Sequence, residues 1–344
     1  MEENQTRESI KEELPGFVTL YQNGSIKREE STNILTSKVP CNPDCFENGV
    51  TTTDITLDQT TGLWARIFLP EESPTGKAKL PIVLYFHGGG FCTGDPAWQM
   101  FHGLCSRLAA ATGSIWVSVA YRLAPEHRLP AGCEDCIAAL ACLGRPGFEP
   151  LSSRGDLELC FLAGDSVGGN LAHQVAISAA QSGGSGGVKI LGVILMHPGF
   201  IKEERSRSEI ENGPELALVS IEAVEKGSRL CLPEGTDKDY YVMNPWIPSI
   251  REVVVPPVLV IVGKKDIFYD RQIEYCREMK RVGQDVELVE YPEMGHCFLN
   301  YPQNESCPKA KDLVHKVMQF MDKCRLQAES CRAQNVGVAE AIPS

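Results

Sequence analysis

The sequence predicts an α/β fold built on a mostly parallel sheet, and three observations point to it. Continuous apolar runs such as Ile82–Phe86 and Pro257–Val262 have the length and composition of strands buried on both faces. Strand-like runs alternate with helix-like stretches along most of the chain. The run Leu157–Ala163 leads into Gly164-Asp165-Ser166-Val167-Gly168, a Gly-x-Ser-x-Gly, with the helical stretch Gly168–Gln181 directly behind it. A chain of 344 residues, 43% of them apolar, has enough core for one large α/β domain, bare or with a cap.

The elements follow in order. Residues 1–15 are polar and acidic and are expected to be disordered; the domain is expected over 16–324. Residues 16–50 are expected to return over the site as an N-terminal lid. Leu63–Leu69 and Ile82–Phe86 read as early strands joined by the turn Glu71–Lys79. Phe101–Ala111 reads as a helix, Ile115–Tyr121 as a strand and Ala131–Leu143 as a helix. Ser182–Gly187 is a flexible connection, and Val188–Met196 is a strand. From 199 to 246 the alternation is lost around the helical stretch Leu216–Leu230, which is read as the second part of a cap. Then come a strand running into Asp266, a helix Arg271–Arg281, a strand Val286–Tyr291 and a last helix Lys309–Cys324. Residues 325–344 are expected to form a flexible tail, and no internal repeat is visible.

The strand-turn-helix around Ser166 has a chemical purpose. A turn this tight leaves room only for small residues at Gly164 and Gly168, and it lifts the serine hydroxyl out of the sheet. The helix start leaves the N–H of Val167 beside the same point. A serine hydroxyl is a poor nucleophile at neutral pH, so it needs a base, and the base needs an orienting acid. Four histidines lie downstream: His173, His197, His296 and His315. His173 falls inside the helix after the serine, His197 ends a strand, and His315 lies in a late amphipathic helix. His296 follows the strand Val286–Tyr291, in the kind of loop where an open α/β sheet gathers its site, and it is the expected base. Two aspartates compete for the acid. Asp266 lies just past its strand and is favoured; Asp270 precedes a helix and is assigned the capping role. Ile82–Phe86 opens into His87-Gly88-Gly89-Gly90, where the backbone can approach a ligand closely. The expected donors to a developing oxyanion are the N–H groups of Gly88, Gly89 and Val167. Pocket walls are expected to include Phe17, Phe91, Phe200 and Ile267.

Composition narrows the field further. A net charge of −12 with no basic block disfavours nucleic acid as a partner and repels polyanionic substrates. No apolar run reaches the length of a membrane span. The N-terminus has the character of neither a signal nor a transit peptide, and the fourteen cysteines are scattered. Reduced thiols in the cytoplasm, with the nucleus as a further location, are the expectation. Cys133-x-x-Cys136 has no second pair at ligand spacing, so no metal site is assigned to it. With no dinucleotide fingerprint or P-loop, no cofactor is implied. The expected partner is a small-molecule ester; oligomeric state is not legible.

The motifs together resemble the plant carboxylesterases of the hormone-sensitive-lipase-like group of α/β-hydrolases. The matching segments are His87–Gly94, Tyr121–Ala131, Gly164–Asn170, Val262–Asp266 and Gly295-His296, with Leu20–Arg28 similar to the family's N-terminal entry. The resemblance runs from about residue 16 to 324 and implies an eight-stranded, mostly parallel sheet, flanking helices, a small cap over the site and ester hydrolysis through Ser166, His296 and Asp266. Glu203–Glu209 with Glu211–Pro214 looks like a subgroup that includes strigolactone-cleaving esterases. The related gibberellin receptors lack the base histidine, which is present here, so a receptor without catalysis is disfavoured. Relatives that are dehydratases or cyclases, and transfer of the acyl group to another alcohol, keep a non-hydrolytic reaction open as the alternative.

Overall fold

The computed structural model describes residues 9–29, 33–71, 79–145, 148, 150–183, 187–212, 219–245 and 253–339. Three short strands open the chain: β1 (Ile10–Leu14), β2 (Val18–Tyr21) and β3 (Ile26–Arg28) form an antiparallel sheet of their own. The main sheet comprises β4 (Val50–Asp58), β5 (Leu63–Pro70), β6 (Leu80–Phe86), β7 (Ile115–Ala120), β8 (Gly155–Asp165), β9 (Ile190–Met196), β10 (Val258–Gly263) and β11 (Val286–Tyr291). Its order is β11-β10-β9-β8-β6-β7-β5-β4. The run from β11 to β7 is parallel, and β5 and β4 are added antiparallel.

The apolar runs are continuous because both faces of the sheet are covered. Along β6, Ile82, Leu84 and Phe86 join the core on one face, while Val83 and Tyr85 join the core on the other. Each such side chain contributes roughly 1.5–3 kcal/mol by leaving water. Helix Ala131–Leu143 matches its predicted span, and Cys133 and Cys136 are buried in it as packing residues.

Two boundaries are corrected. The expected disorder over 1–15 gives way to strand β1 at Ile10–Leu14, paired with β2; residues 1–8 lie outside the described residues. The charged sequence of β1 hides a strand that exists because β2 and the helix Ile221–Cys231 offer it partners. The expected flexible tail after Arg325 is instead the continuation of a helix spanning Pro308–Ala339. The expected turn Glu71–Lys79 and connection Ser182–Gly187 lie partly outside the described residues, at 72–78 and 184–186. The same holds for the start of the expected helix Leu216–Leu230; its described part is Ile221–Cys231, capped by Ser220.

The sheet brings the signalled residues to one edge. Its order reverses between β6 and β8, the switch point where an open α/β sheet leaves a crevice. Phe86 of β6 lies opposite Gly164 of β8, and Asp165 opposite Met196 of β9. Gly263 of β10 lies opposite Tyr291 of β11. The segments that leave these strands therefore emerge side by side, carrying His87–Gly90, Ser166, His197, Asp266 and His296.

Candidate active site

Ser166 occupies a strained turn. Its backbone sits at φ 51 and ψ −129, a region that costs of order 1–3 kcal/mol for a residue with a side chain. The turn holds because its neighbours are glycines. A Cβ at Gly164 would lie 2.1 Å from the Gly168 carbonyl oxygen, and one at Gly168 would lie 2.0 Å from that of Phe86. The Ser166 N–H donates to the Met196 carbonyl at 3.0 Å, and the Ser166 carbonyl accepts from Gly169 and Gly199 at 2.9 and 3.0 Å. The helix Val167–Gln181 starts at the next residue.

The histidine expected as base meets this serine. His296 Nε2 lies 2.9 Å from Ser166 Oγ, and His296 Nδ1 lies 2.8 Å from Asp266 Oδ2. Asp266 is fully buried. Its Oδ1 accepts from the Phe268 N–H at 2.9 Å, and its Oδ2 also accepts from Gln272 Nε2 at 3.0 Å. Burial alone would raise this carboxyl, but His296 and His197 outweigh it and hold the group well below the usual carboxylate range. The carboxylate is therefore charged and anchored from both sides.

Asp270, the competitor, does not face His296, nor does it cap its helix. The N-cap position is Phe268, and Asp270 sits in the first turn. There its carboxylate accepts from the Ser208 N–H at 2.7 Å, tying down the short helix Arg207–Glu211. Of the other histidines, His173 is buried against Tyr275, 3.0 Å from its hydroxyl, and His315 is exposed. His197 is part of the site, a place its sequence position gave no reason to assign. Its Nδ1 is 3.4 Å from Asp266 Oδ2, and its ring stands edge-on to His296 and Phe298. Burial lowers its pKa against the pull of Asp266, which keeps the ring neutral.

The glycine loop requires a correction. The Gly88 N–H, expected as an oxyanion donor, is committed to Asp165 Oδ1 at 3.0 Å. Gly89, Gly90 and Val167 line the cavity over Ser166, and no acceptor for their N–H groups is present among the described residues. Gly89 is held at φ 114, where a Cβ would lie 2.1 Å from the Thr93 carbonyl oxygen. Asp165 is the organising group that sequence reasoning missed. Its two oxygens also accept from the Tyr85 hydroxyl, from Asn300 Nδ2 at 2.8 Å and from Cys297 Sγ at 3.6 Å. One buried carboxylate thus joins the glycine loop, the serine turn and the residues just after His296. The signal available was its place beside the serine, directly after the apolar run Leu159–Gly164.

The cavity above Ser166 measures about 420 Å³. Phe17 and Phe91 line it as expected. Phe200 and Ile267 do not. Phe200 is buried away from it, its ring 4.7 Å from that of Tyr275, and Ile267 packs in the core while its neighbour Phe268 reaches the cavity. Leu14 at the end of β1 and Pro15 after it, with Ala223 and Val224 of the helix Ile221–Cys231, supply the outer wall. Phe17, Leu35 and Thr36 from the expected segment 16–50, and Ala223, Val224 and Met243 from the expected segment 199–246, line the pocket. His197, Asp266 and His296 have the donor types of a metal site and lie within 4.8 Å of one another. However, Asp266 Oδ2 and both His296 ring nitrogens are already engaged in the hydrogen bonds above, which account for the cluster.

A mostly parallel eight-stranded sheet that lifts a strained serine off a central strand, with carboxylate and imidazole following from later strands, defines a hydrolase of the α/β class. A family model described as alpha/beta hydrolase fold matches residues 83–300. A probable carboxylesterase 6 of Arabidopsis thaliana is 34% identical over 292 residues, 84% of this chain and 84% of that protein. A 2-hydroxyisoflavanone dehydratase of Glycyrrhiza echinata is 32% identical over 338 residues, 92% of this chain and 97% of that protein. Among solved structures, a hyperthermophilic esterase from the archaeon Pyrobaculum calidifontis superposes with a TM-score of 0.69 at 29% identity, covering 79% of this chain and 83% of that one. The chain belongs to the alpha/beta hydrolase family, in its hormone-sensitive-lipase-like carboxylesterase group.

Proposed function

We propose that this protein is a serine carboxylesterase that cleaves a small-molecule ester through an acyl-enzyme. The observation that carries this reading is the continuous hydrogen-bonded line Ser166–His296–Asp266 opening onto a cavity. His296 Nε2 takes the proton as Ser166 Oγ attacks the ester carbonyl. Asp266 holds the proton on Nδ1, so that Nε2 faces the serine as an acceptor, and stabilises the imidazolium that forms. The N–H groups of Gly89, Gly90 and Val167 receive the oxyanion; losing one such donor costs about 3–4 kcal/mol. His296 returns its proton to the departing alcohol, and water activated by the same ring frees the acid. The free cysteines among the described residues favour a reducing compartment such as the cytosol, which is part of the proposal.

The test is covalent. A fluorophosphonate should inactivate the enzyme and leave its phosphonyl group on the peptide containing Ser166, read by mass spectrometry. Full activity with no label on that serine would reject the mechanism. The likeness to the dehydratase over 92% of the chain supports a second reading, elimination in the same pocket. Mass spectrometry of products separates the two, since hydrolysis adds water to the substrate and elimination does not.

Asp165 acts in this scheme as a positioning residue. Asp165→Asn turns one acceptor oxygen into a donor and leaves buried donors without a partner, at about 1–3 kcal/mol. The expected result is a fall in kcat of about ten- to a hundredfold with KM little changed. Phosphonylation of Ser166 should slow in parallel. A fall in thermal stability with kcat intact would assign Asp165 a structural role only.

A further inference from the structure

The cavity over Ser166 has a charge pattern as well as a shape. Among the described residues its wall contains no lysine or arginine. Phe17, Trp98, Phe101 and Phe268 give it an aromatic face. Its polar side chains are largely bonded inside the protein. Ser220 Oγ accepts from the Ala223 N–H at 3.1 Å, Ser228 Oγ donates to the Val224 carbonyl at 2.8 Å, and Asn300 donates to Asp165. The cations one or two positions from a wall residue are held by acids: Lys38 by Asp95, Lys202 by Glu274, Lys226 by Glu222 and Arg229 by Glu12. Apart from the serine-histidine line, the acidic residue along the wall is Asp165, whose carboxylate is buried and bonded inside the protein to Gly88 and Asn300.

We propose, resting on the esterase reading, that this pocket selects neutral esters with an apolar or aromatic body and rejects esters that carry a carboxylate. A carboxylate entering the cavity gives up its hydration and meets no counter-ion among the described residues. It also approaches the negative faces of the aromatic rings. A neutral apolar group loses nothing comparable and gains burial against a largely apolar wall. Selection thus works by exclusion, through the penalty on the wrong substrate rather than a dedicated contact to the right one.

The test uses two substrates of equal length and opposite polarity at the far end, p-nitrophenyl hexanoate and p-nitrophenyl hydrogen adipate. With the full chain at pH 7 the hexanoate should be preferred in kcat/KM by on the order of a hundredfold. Val224→Lys, on the outer wall, should raise the adipate relative to the hexanoate by about tenfold. Wild-type values within about threefold of each other would overturn the proposal, and this comparison stands even if the variant does not fold. A folded Val224→Lys enzyme with an unchanged ratio would also overturn it, because the discrimination would then not be one of charge. Hydrolysis of neither ester, with no phosphonate label on Ser166, would instead remove the esterase reading, and this proposal with it.

Discussion

Ser166→Ala should lose ester hydrolysis by about five to six orders of magnitude while remaining folded. The size follows from the way a serine, its base and its acid act as a unit: removing the nucleophile costs about as much as removing all of them. Folding should survive because, among the described residues, the Ser166 side chain bonds only to His296, and the turn is held by backbone hydrogen bonds that alanine keeps. Turnover of p-nitrophenyl acetate and a thermal melt, measured on the same preparation, check the two halves. A variant that hydrolyses at a rate similar to the wild type would remove Ser166 from the mechanism.

Asp266→Asn should lower kcat by about four orders of magnitude with little change in KM. An asparagine at this position can turn its NH₂ toward His296 Nδ1. The ring then carries its proton on Nε2, aimed at Ser166, and can no longer accept one. Asp270→Asn separates the two aspartates that competed in the sequence. That carboxylate serves the Ser208 N–H and should leave kcat within about threefold of wild type. Acid stability gives a second readout. Because the folded Asp266 carboxyl is held below its unfolded value, its contribution is complete above about pH 4 and is lost as pH falls toward the folded value. The Asn variant should lack that portion of the acid-side slope.

Ser166 and Asp266 were legible because each follows a strand whose burial writes an apolar run, and His296 because it stands in the loop after the next strand, Val286–Tyr291. Chain order then fixed the partners. The limits of legibility are equally physical. Which amide of the glycine loop serves the oxyanion depends on Asp165 claiming Gly88, and no local pattern encodes a hydrogen bond between residues 77 positions apart. Phe200 and Ile267 are apolar and near the site in the chain, but pocket and core are both apolar, so residue type does not separate them. Strand β1 reads as charged because its partners, not its composition, make it a strand. The end of the last helix is hard to place because polar, small-residue sequence suits a frayed tail as well as a solvated helix. Residues beyond Arg325 include four alanines and contain no proline before Pro343, and Arg325 itself pairs with Asp322 and Glu329.

The pocket is assembled from two sources. The reacting groups leave the carboxyl ends of the parallel strands β6, β8, β10 and β11 of the main sheet. Much of the outer wall comes from the β1–β3 ribbon and the helix Ile221–Cys231, which lie outside that sheet and meet each other through the Arg229–Glu12 pair. Replacements in the ribbon or the helix can therefore change which molecule is admitted while the bond-breaking apparatus stays as it is. A scaffold divided in this way can diversify its diet without relearning its chemistry.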